Sequence, residues 1–108
     1  MPNPVVVLTT VASEDDAVAL VRALLDRRLV ACGTTLPGAR SIYWWGGGIE
    51  DAREVVVLLK TLDDRVDALR AAFVELHPYA VAELLVVPTA AVGPAYGEWL
   101  VASVRQEF

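Results

Sequence analysis

The stretch Ser41-Ile42-Tyr43-Trp44-Trp45, followed directly by Gly46-Gly47-Gly48, decides how this chain folds. Aromatic and β-branched residues that end in glycines are typical of a strand entering a tight hairpin. Successive strand side chains point to opposite faces, so Trp44 faces one side while Tyr43 and Trp45 face the other. Each aromatic side chain buries roughly 150–250 Å². Both faces of the strand therefore need a cover, and we predict a core on one face and a second copy of the chain on the other.

Composition limits the class of protein. The chain has 108 residues and is 56% hydrophobic, which predicts one domain over residues 1–108 with a sizeable core. Its net charge of −5 excludes a typical nucleic-acid binder and a polybasic membrane anchor, because both need a basic surface.

Patterns that the sequence lacks limit both the compartment of the protein and the kind of metal site that it can form. No apolar run is long enough for a transmembrane helix, and the start Met1-Pro2-Asn3-Pro4 lacks the charged region of a signal peptide. A single cysteine cannot form an internal disulfide, so we expect a cytoplasmic protein. One cysteine and one histidine also exclude a zinc site built within one chain from the usual Cys and His ligands.

Hydrophobic periodicity predicts four strands and three helices. The strands are residues 4–11, residues 30–45 with a kink at Pro37-Gly38, residues 53–61 and residues 84–87. The first helix runs from a Ser13 cap to about Leu29, and the second from an Asp63 cap to His77-Pro78-Tyr79. The last opens at Gly93-Pro94 and carries four side chains inward: Tyr96, Trp99, Leu100 and Val104.

The element order is βαββαβ plus a C-terminal helix, which predicts an α+β, ferredoxin-like sandwich with a four-stranded antiparallel sheet. Right-handed crossovers place the first two helices on one face of that sheet and leave the other face bare. Three of the strands are apolar on both faces, so the bare face would exceed any normal exposed patch. We therefore predict self-association with closed cyclic symmetry.

Four motifs, in this order, resemble the divalent-cation tolerance proteins of the CutA type: Ala31-Cys32, Ser41-Ile42-Tyr43-Trp44-Trp45, Leu59-Lys60-Thr61 and His77-Pro78-Tyr79. The similarity runs from Thr9-Thr10 to the final helix. It implies a homotrimer, a link to tolerance of divalent metals, and copper binding. The chain departs from the family pattern after Trp45, where Glu-Gly-Lys is usual, and at Ala80 and Ala82, where glutamate and proline are usual.

Cys32 and His77 are the candidate metal ligands, because thiolate and imidazole suit copper and zinc and the resemblance points to the same pair. The remaining ligands would come from another subunit or from water. Two alternatives stay open. Cys32 can be a small buried hydrophobe, and His77 can interact only with the carbonyls that end its helix.

A second candidate site is a ligand pocket at the subunit boundary, formed by Trp45, Lys60, Tyr79 and Glu83. Lys60, the only lysine, would pair with Glu83 or hold an anion, or it can be a solvated edge charge. Trp45 and Tyr79 would line the pocket or pack between subunits.

These residues support several functions. The first hypothesis is a homotrimeric tolerance protein that binds copper without catalysis. The alternatives are a ligand-sensing or signalling trimer that holds a small anion or nucleotide between subunits, an enzyme with Cys32 as nucleophile and His77 as base, and a purely structural scaffold.

Overall fold

The computed structural model describes residues 2–106; residues 1, 107 and 108 of the predicted domain lie outside the described part. The elements follow in the order β1 (Pro4–Val11), α1 (Glu14–Asp26), β2 (Cys32–Trp45), β3 (Gly48–Leu62), a 3-10 turn (Asp63–Arg65), α2 (Val66–Leu76), β4 (Leu85–Pro88) and α3 (Pro94–Arg105). The predicted βαββαβ order with an added C-terminal helix is confirmed.

The four strands form one antiparallel sheet in the order β2-β3-β1-β4. Alternation along β1 separates its two faces, because every second residue from Val5 to Val11 is buried and the residues between them are half-buried. The buried face packs against α1 and α2 around Val57, Leu59 and Phe73. We call this side of the sheet the helix face.

The opposite side, here called the open face, has no such layer among the described residues 2–106. Its half-buried residues from the two central strands are Val6, Leu8, Thr10, Val56, Leu58 and Lys60. Helix α3 covers only one end of it, where Leu62, Leu100 and Val104 form a small separate cluster with Ala31. Tyr96 and Trp99 are 45% and 42% exposed, so the prediction that both point inward is wrong for the single chain.

The β2–β3 hairpin projects beyond the rest of the sheet. Pairing between β1 and β3 ends at Val11–Val55, whereas β2 and β3 stay paired as far as Trp45–Gly48. Only Gly46 and Gly47 form the turn, with φ of 58° and 82°, which is a combination that glycine adopts freely. We call residues 39–54 the arm. The predicted kink in β2 is confirmed as a bulge between Leu36 and Ala39.

Helix α1 ends earlier than its apolar spacing suggests. Arg28 adopts a left-handed conformation with φ of 56°, and the amide of Leu29 bonds back to the Leu24 carbonyl. This is a Schellman ending with arginine where glycine is usual. The Arg28 side chain donates to the Ser103 carbonyl of α3 at 2.8 Å, so it ties the two helices together.

The second helix lacks its predicted cap. The Asp63 carboxylate accepts a hydrogen bond from the Asn3 amide instead of from an amide of α2. A 3-10 turn separates Asp63 from the helix proper.

Candidate functional site

The pairing of β2 with β3 places Cys32 directly opposite Lys60. The Lys60 ammonium donates to Thr34 Oγ1 and lies 3.8 Å from Cys32 Sγ. Burial raises the pKa of the Tyr96 phenol on α3, and the nearby Cys32 adds to that rise, so Tyr96 lies close to this group. We call Cys32, Thr34, Lys60 and Tyr96 the Cys–Lys cluster. Among residues 2–106, no carboxylate lies within ion-pair distance of Lys60.

His77 belongs to a different group of polar side chains and itself bonds to Thr9 on the helix face. Its ring is held between α2 and β1 and is 7% exposed. Nε2 lies 2.9 Å from Thr9 Oγ1, and Nδ1 accepts the Tyr79 amide proton at 3.0 Å. Tyr79 in turn donates its hydroxyl to Glu54 at 2.7 Å. We call Thr9, Glu54, His77 and Tyr79 the histidine network.

The hydrogen bonds fix the tautomer of the neutral ring. Because Nδ1 accepts a backbone N–H, the ring proton must be on Nε2, where it is donated to the Thr9 hydroxyl. An imidazolium at His77 would direct a second N–H at the Tyr79 amide. The ring therefore fits its site only as the neutral form.

The electrostatic environment of His77 also favours the neutral ring. Burial lowers the pKa of His77, and this outweighs the Thr10 carbonyl and the charges of Asp16 and Glu54, which raise it. Burial and the bond to Glu54 raise the pKa of Tyr79 above its ordinary value. Tyr79 therefore remains a neutral donor at physiological pH.

The lowered pKa of His77 predicts an acid-sensitive fold. In the unfolded chain His77 titrates near the ordinary value of 6.5, so below this pH the unfolded state binds a proton that the folded state resists. The free energy of unfolding should fall as pH drops below about 6.5, with a slope of at most about 1.4 kcal/mol per pH unit from this group. Urea unfolding between pH 5 and 8 measures it.

The control for this prediction is His77→Gln, which keeps a donor and an acceptor without the titration. An equal slope in the variant and the natural protein would assign the pH dependence to other groups. The carboxylates with a lowered pKa, Asp51 and Glu75, have ordinary values of 3.8 and 4.5. These two carboxylates lose their contribution to the free energy of unfolding only at lower pH.

The structure does not bring the two predicted metal ligands together. Cys32 and Lys60 lie on the open face, opposite Val6, whereas His77 bonds to Thr9 on the helix face. Within residues 2–106, no three His, Cys, Asp or Glu side chains are grouped so that they could hold a metal ion. The side chains of one chain therefore do not fit a copper site made by both residues. The His77 ring bonds to Thr9 and to the Tyr79 amide, whereas the end of α2 is closed by the backbone amide of His77, which donates to the Phe73 carbonyl.

The four predicted pocket residues are likewise spread over one chain. Trp45 lies at the end of the arm and is 57% exposed, while Glu83 is exposed just before β4. The side chains of residues 2–106 include no ion pair between Lys60 and Glu83. Tyr79 belongs to the histidine network, so only Lys60 of the four lies in the Cys–Lys cluster.

Sequence reasoning missed the partners of these residues. Thr34 could have been found, because it lies two positions from Cys32 and so on the same strand face. Thr9, Glu54 and Tyr96 come from distant elements, and no local pattern links them to His77 or Cys32.

Comparison with known proteins identifies the family of this chain. Residues 5–103 match the family described as CutA1 divalent ion tolerance protein. The chain belongs to the CutA1 family. It is 43% identical to the divalent-cation tolerance protein CutA of Pectobacterium atrosepticum, over 95% of this chain and 94% of that protein. It is 42% identical to that of Citrobacter koseri, over 97% and 91%.

Solved structures of the CutA1 family share the fold. CutA from Synechococcus elongatus superposes with a TM-score of 0.91 at 35% identity, covering 96% of this chain and 92% of that chain. CutA from Xylella fastidiosa gives 0.90 at 33% identity, covering 94% and 98%. The predicted family and the ferredoxin-like fold are therefore confirmed, and family membership supports a role in metal tolerance. None of the helices in residues 2–106 is long and apolar enough to cross a membrane.

Proposed function

We propose that this protein works as a homotrimer that binds copper in divalent-cation tolerance, without catalysis and in the cytoplasm. Membership of the CutA1 family supports the tolerance role. The single free thiol suits a reducing compartment, and the net charge of −5 argues against nucleic acid as a partner.

The observation that carries the proposal is the open face. It presents a band of half-buried aliphatic side chains, and the arm continues that apolar surface. Trp44 is 75% exposed and Ile42 is 62% exposed. Soluble monomers rarely leave so much contiguous apolar surface in water, and further copies of the same chain are its usual cover.

Assembly would also supply the metal ligands that a single chain does not bring together. Cys32 lies on the open face, so a second copy that covers this face can bring ligands to the thiol. His77 would have to take part through a separate copy or a rearranged ring, because its two nitrogens are occupied by Thr9 and Tyr79. The copper site we propose is therefore shared between subunits.

The separation of Cys32 from His77 supports a non-catalytic role. A thiol nucleophile needs its base within hydrogen-bond reach. These two residues lie on opposite sides of the sheet.

Titration of the metal-stripped protein with Cu(I) and Cu(II) tests the proposal, with the molar mass measured by light scattering in the same buffer. We expect a trimer that binds copper saturably, and a loss of affinity of about tenfold or more in Cys32→Ala and His77→Ala. Thr9→Val is the matched control, since it disturbs the histidine network but removes neither proposed ligand. A trimer without saturable binding would contradict the metal role.

Lys60 favours a second candidate, a trimer that holds a small anion between subunits. Lys60 is half-buried, and within residues 2–106 the partners of its ammonium are the neutral Thr34 hydroxyl and the Cys32 sulfur. A partly buried charge without a counter-ion is unfavourable. Inorganic phosphate or nucleotides should then raise the melting temperature of the natural protein but not of Lys60→Met. The exposed Arg70→Met serves as the control for a general charge effect.

A further inference from the structure

We propose that mild oxidation joins Cys32 to Lys60 by a direct bond between Sγ and Nζ, so that the Cys–Lys cluster is a reversible redox site. The oxidant is a peroxide. This proposal does not depend on copper or anion binding.

The geometry selects this pair of residues. Cys32 and Lys60 are the only cysteine and the only lysine of the chain, and the sheet register makes them direct cross-strand neighbours. Their reactive atoms lie 3.8 Å apart on one face. Opposed residues on neighbouring strands keep their Cβ atoms about 4.5–5.5 Å apart, so the amine stays within reach of the sulfur while the sheet is folded.

The surroundings hold the amine in position. Thr34 accepts a hydrogen bond from the Lys60 ammonium on the same strand face as Cys32. Within residues 2–106, no carboxylate forms an ion pair with Lys60 and draws it away from the sulfur. Cys32 is half-buried in the single chain, and hydrogen peroxide, little larger than water, is the oxidant best able to reach Sγ when a second copy lies over the open face.

The reaction consumes one molecule of hydrogen peroxide and releases two molecules of water. The thiolate attacks one oxygen of hydrogen peroxide and the O–O bond breaks, which gives a sulfenic acid and hydroxide. The hydroxide takes a proton from the Lys60 ammonium and becomes water. The freed amine then attacks Sγ, the S–O bond breaks, and a second water leaves. Sulfur is oxidised and peroxide is reduced, and the product is a sulfenamide.

The bond would change the cluster in two ways. It would remove the only lysine charge from the open face, and it would tie β2 to β3 covalently. Attack by an external thiol on Sγ would release the amine, and a second thiol would then free Cys32 as an ordinary mixed disulfide is reduced.

The single lysine supplies a sharp assay. A protease specific for lysine cuts the denatured chain once, after Lys60. We expect the assembled protein treated with stoichiometric hydrogen peroxide to resist this cut, to be lighter by two hydrogen atoms, and to become cleavable again after dithiothreitol. Protein oxidised while unfolded in urea should remain cleavable, because the pair is no longer held together.

Two variants separate the cross-link from ordinary oxidation. Cys32→Ser keeps Lys60 and should be cut equally with and without peroxide. Lys60→Arg keeps the positive charge but cannot form this bond, so Cys32 should gain one oxygen and then two. Complete cleavage of oxidised natural protein, or a mass gain of oxygen on Cys32 equal to that of Lys60→Arg, would overturn the proposal. A mass that retains an added oxygen in the cleavage-resistant form would overturn the direct bond.

Discussion

Replacing Leu58 with glutamate should convert the proposed homotrimer into monomers. Leu58 lies in the middle of the open face, paired with Leu8 of β1 and Thr34 of β2. Covering this residue with a second copy would bury the new carboxylate without a partner, which costs several kcal/mol per ion. With three equivalent sites in a trimer, association should be lost at micromolar concentration. Light scattering after size-exclusion chromatography measures the molar mass directly.

The matched control is Val74→Glu. Val74 is 90% exposed on α2, on the opposite side of the sheet, so the same change of charge there should leave the mass unaltered. Circular dichroism would check that Leu58→Glu retains its secondary structure. A Leu58→Glu protein that remains as large as the natural one would show that the open face is not the contact between copies.

Replacing Gly33 with alanine should destabilise the fold by about 1–3 kcal/mol, which is the usual cost of an overpacked core. A Cβ at Gly33 would lie 2.6 Å from Cγ2 and 2.7 Å from Cγ1 of Val21. Val21 of α1 and Gly33 of β2 face each other where the helix packs on the strand, so either the helix or the strand would have to shift. Urea unfolding of the two proteins gives the difference.

Val21 is the residue that a Cβ at Gly33 would contact, so a smaller side chain at position 21 should relieve the clash. Val21→Ala removes both methyl groups, and the double variant should recover part of the loss, with a coupling of about 0.5–3 kcal/mol between the two sites. Simple additivity of the two single changes would mean that another contact limits Gly33. Gly38→Ala is a useful comparison, because its φ of 80° is strained for alanine although nothing lies within 4 Å of the added atom.

Most of the fold could be predicted from local periodicity. Periodicity predicts the strand of β-branched residues at Pro4–Val11 and the apolar stripe of α2 at nearly their observed bounds. The observed β3 begins five residues before the predicted start, because Gly48–Ala52 has few apolar residues and pairs with the aromatic strand across the hairpin. The early end of α1 was missed because Arg28 gives no signal of a left-handed residue.

The sites were less predictable, since they depend on which elements meet. The sequence selected Cys32, Lys60 and His77 because they are rare or chemically distinctive residues. It could not tell that a sheet separates Cys32 from His77, because that follows from strand parity and from α2 packing on β1. No local pattern points to Glu54, whose buried carboxylate accepts the hydrogen bond of the Tyr79 hydroxyl.

The small cluster beneath α3 has a consequence for the order in which the molecule loses structure. The main core joins α1, α2 and the sheet, whereas the apolar contacts of α3 with Leu62 and Ala31 form a separate small cluster around Leu100 and Val104. A segment with its own small core can open without the rest of the domain. Helix α3 should therefore form a separate cooperative unit, whose amide protons exchange with solvent before those of the central strands, and each such opening would move Tyr96 away from Cys32.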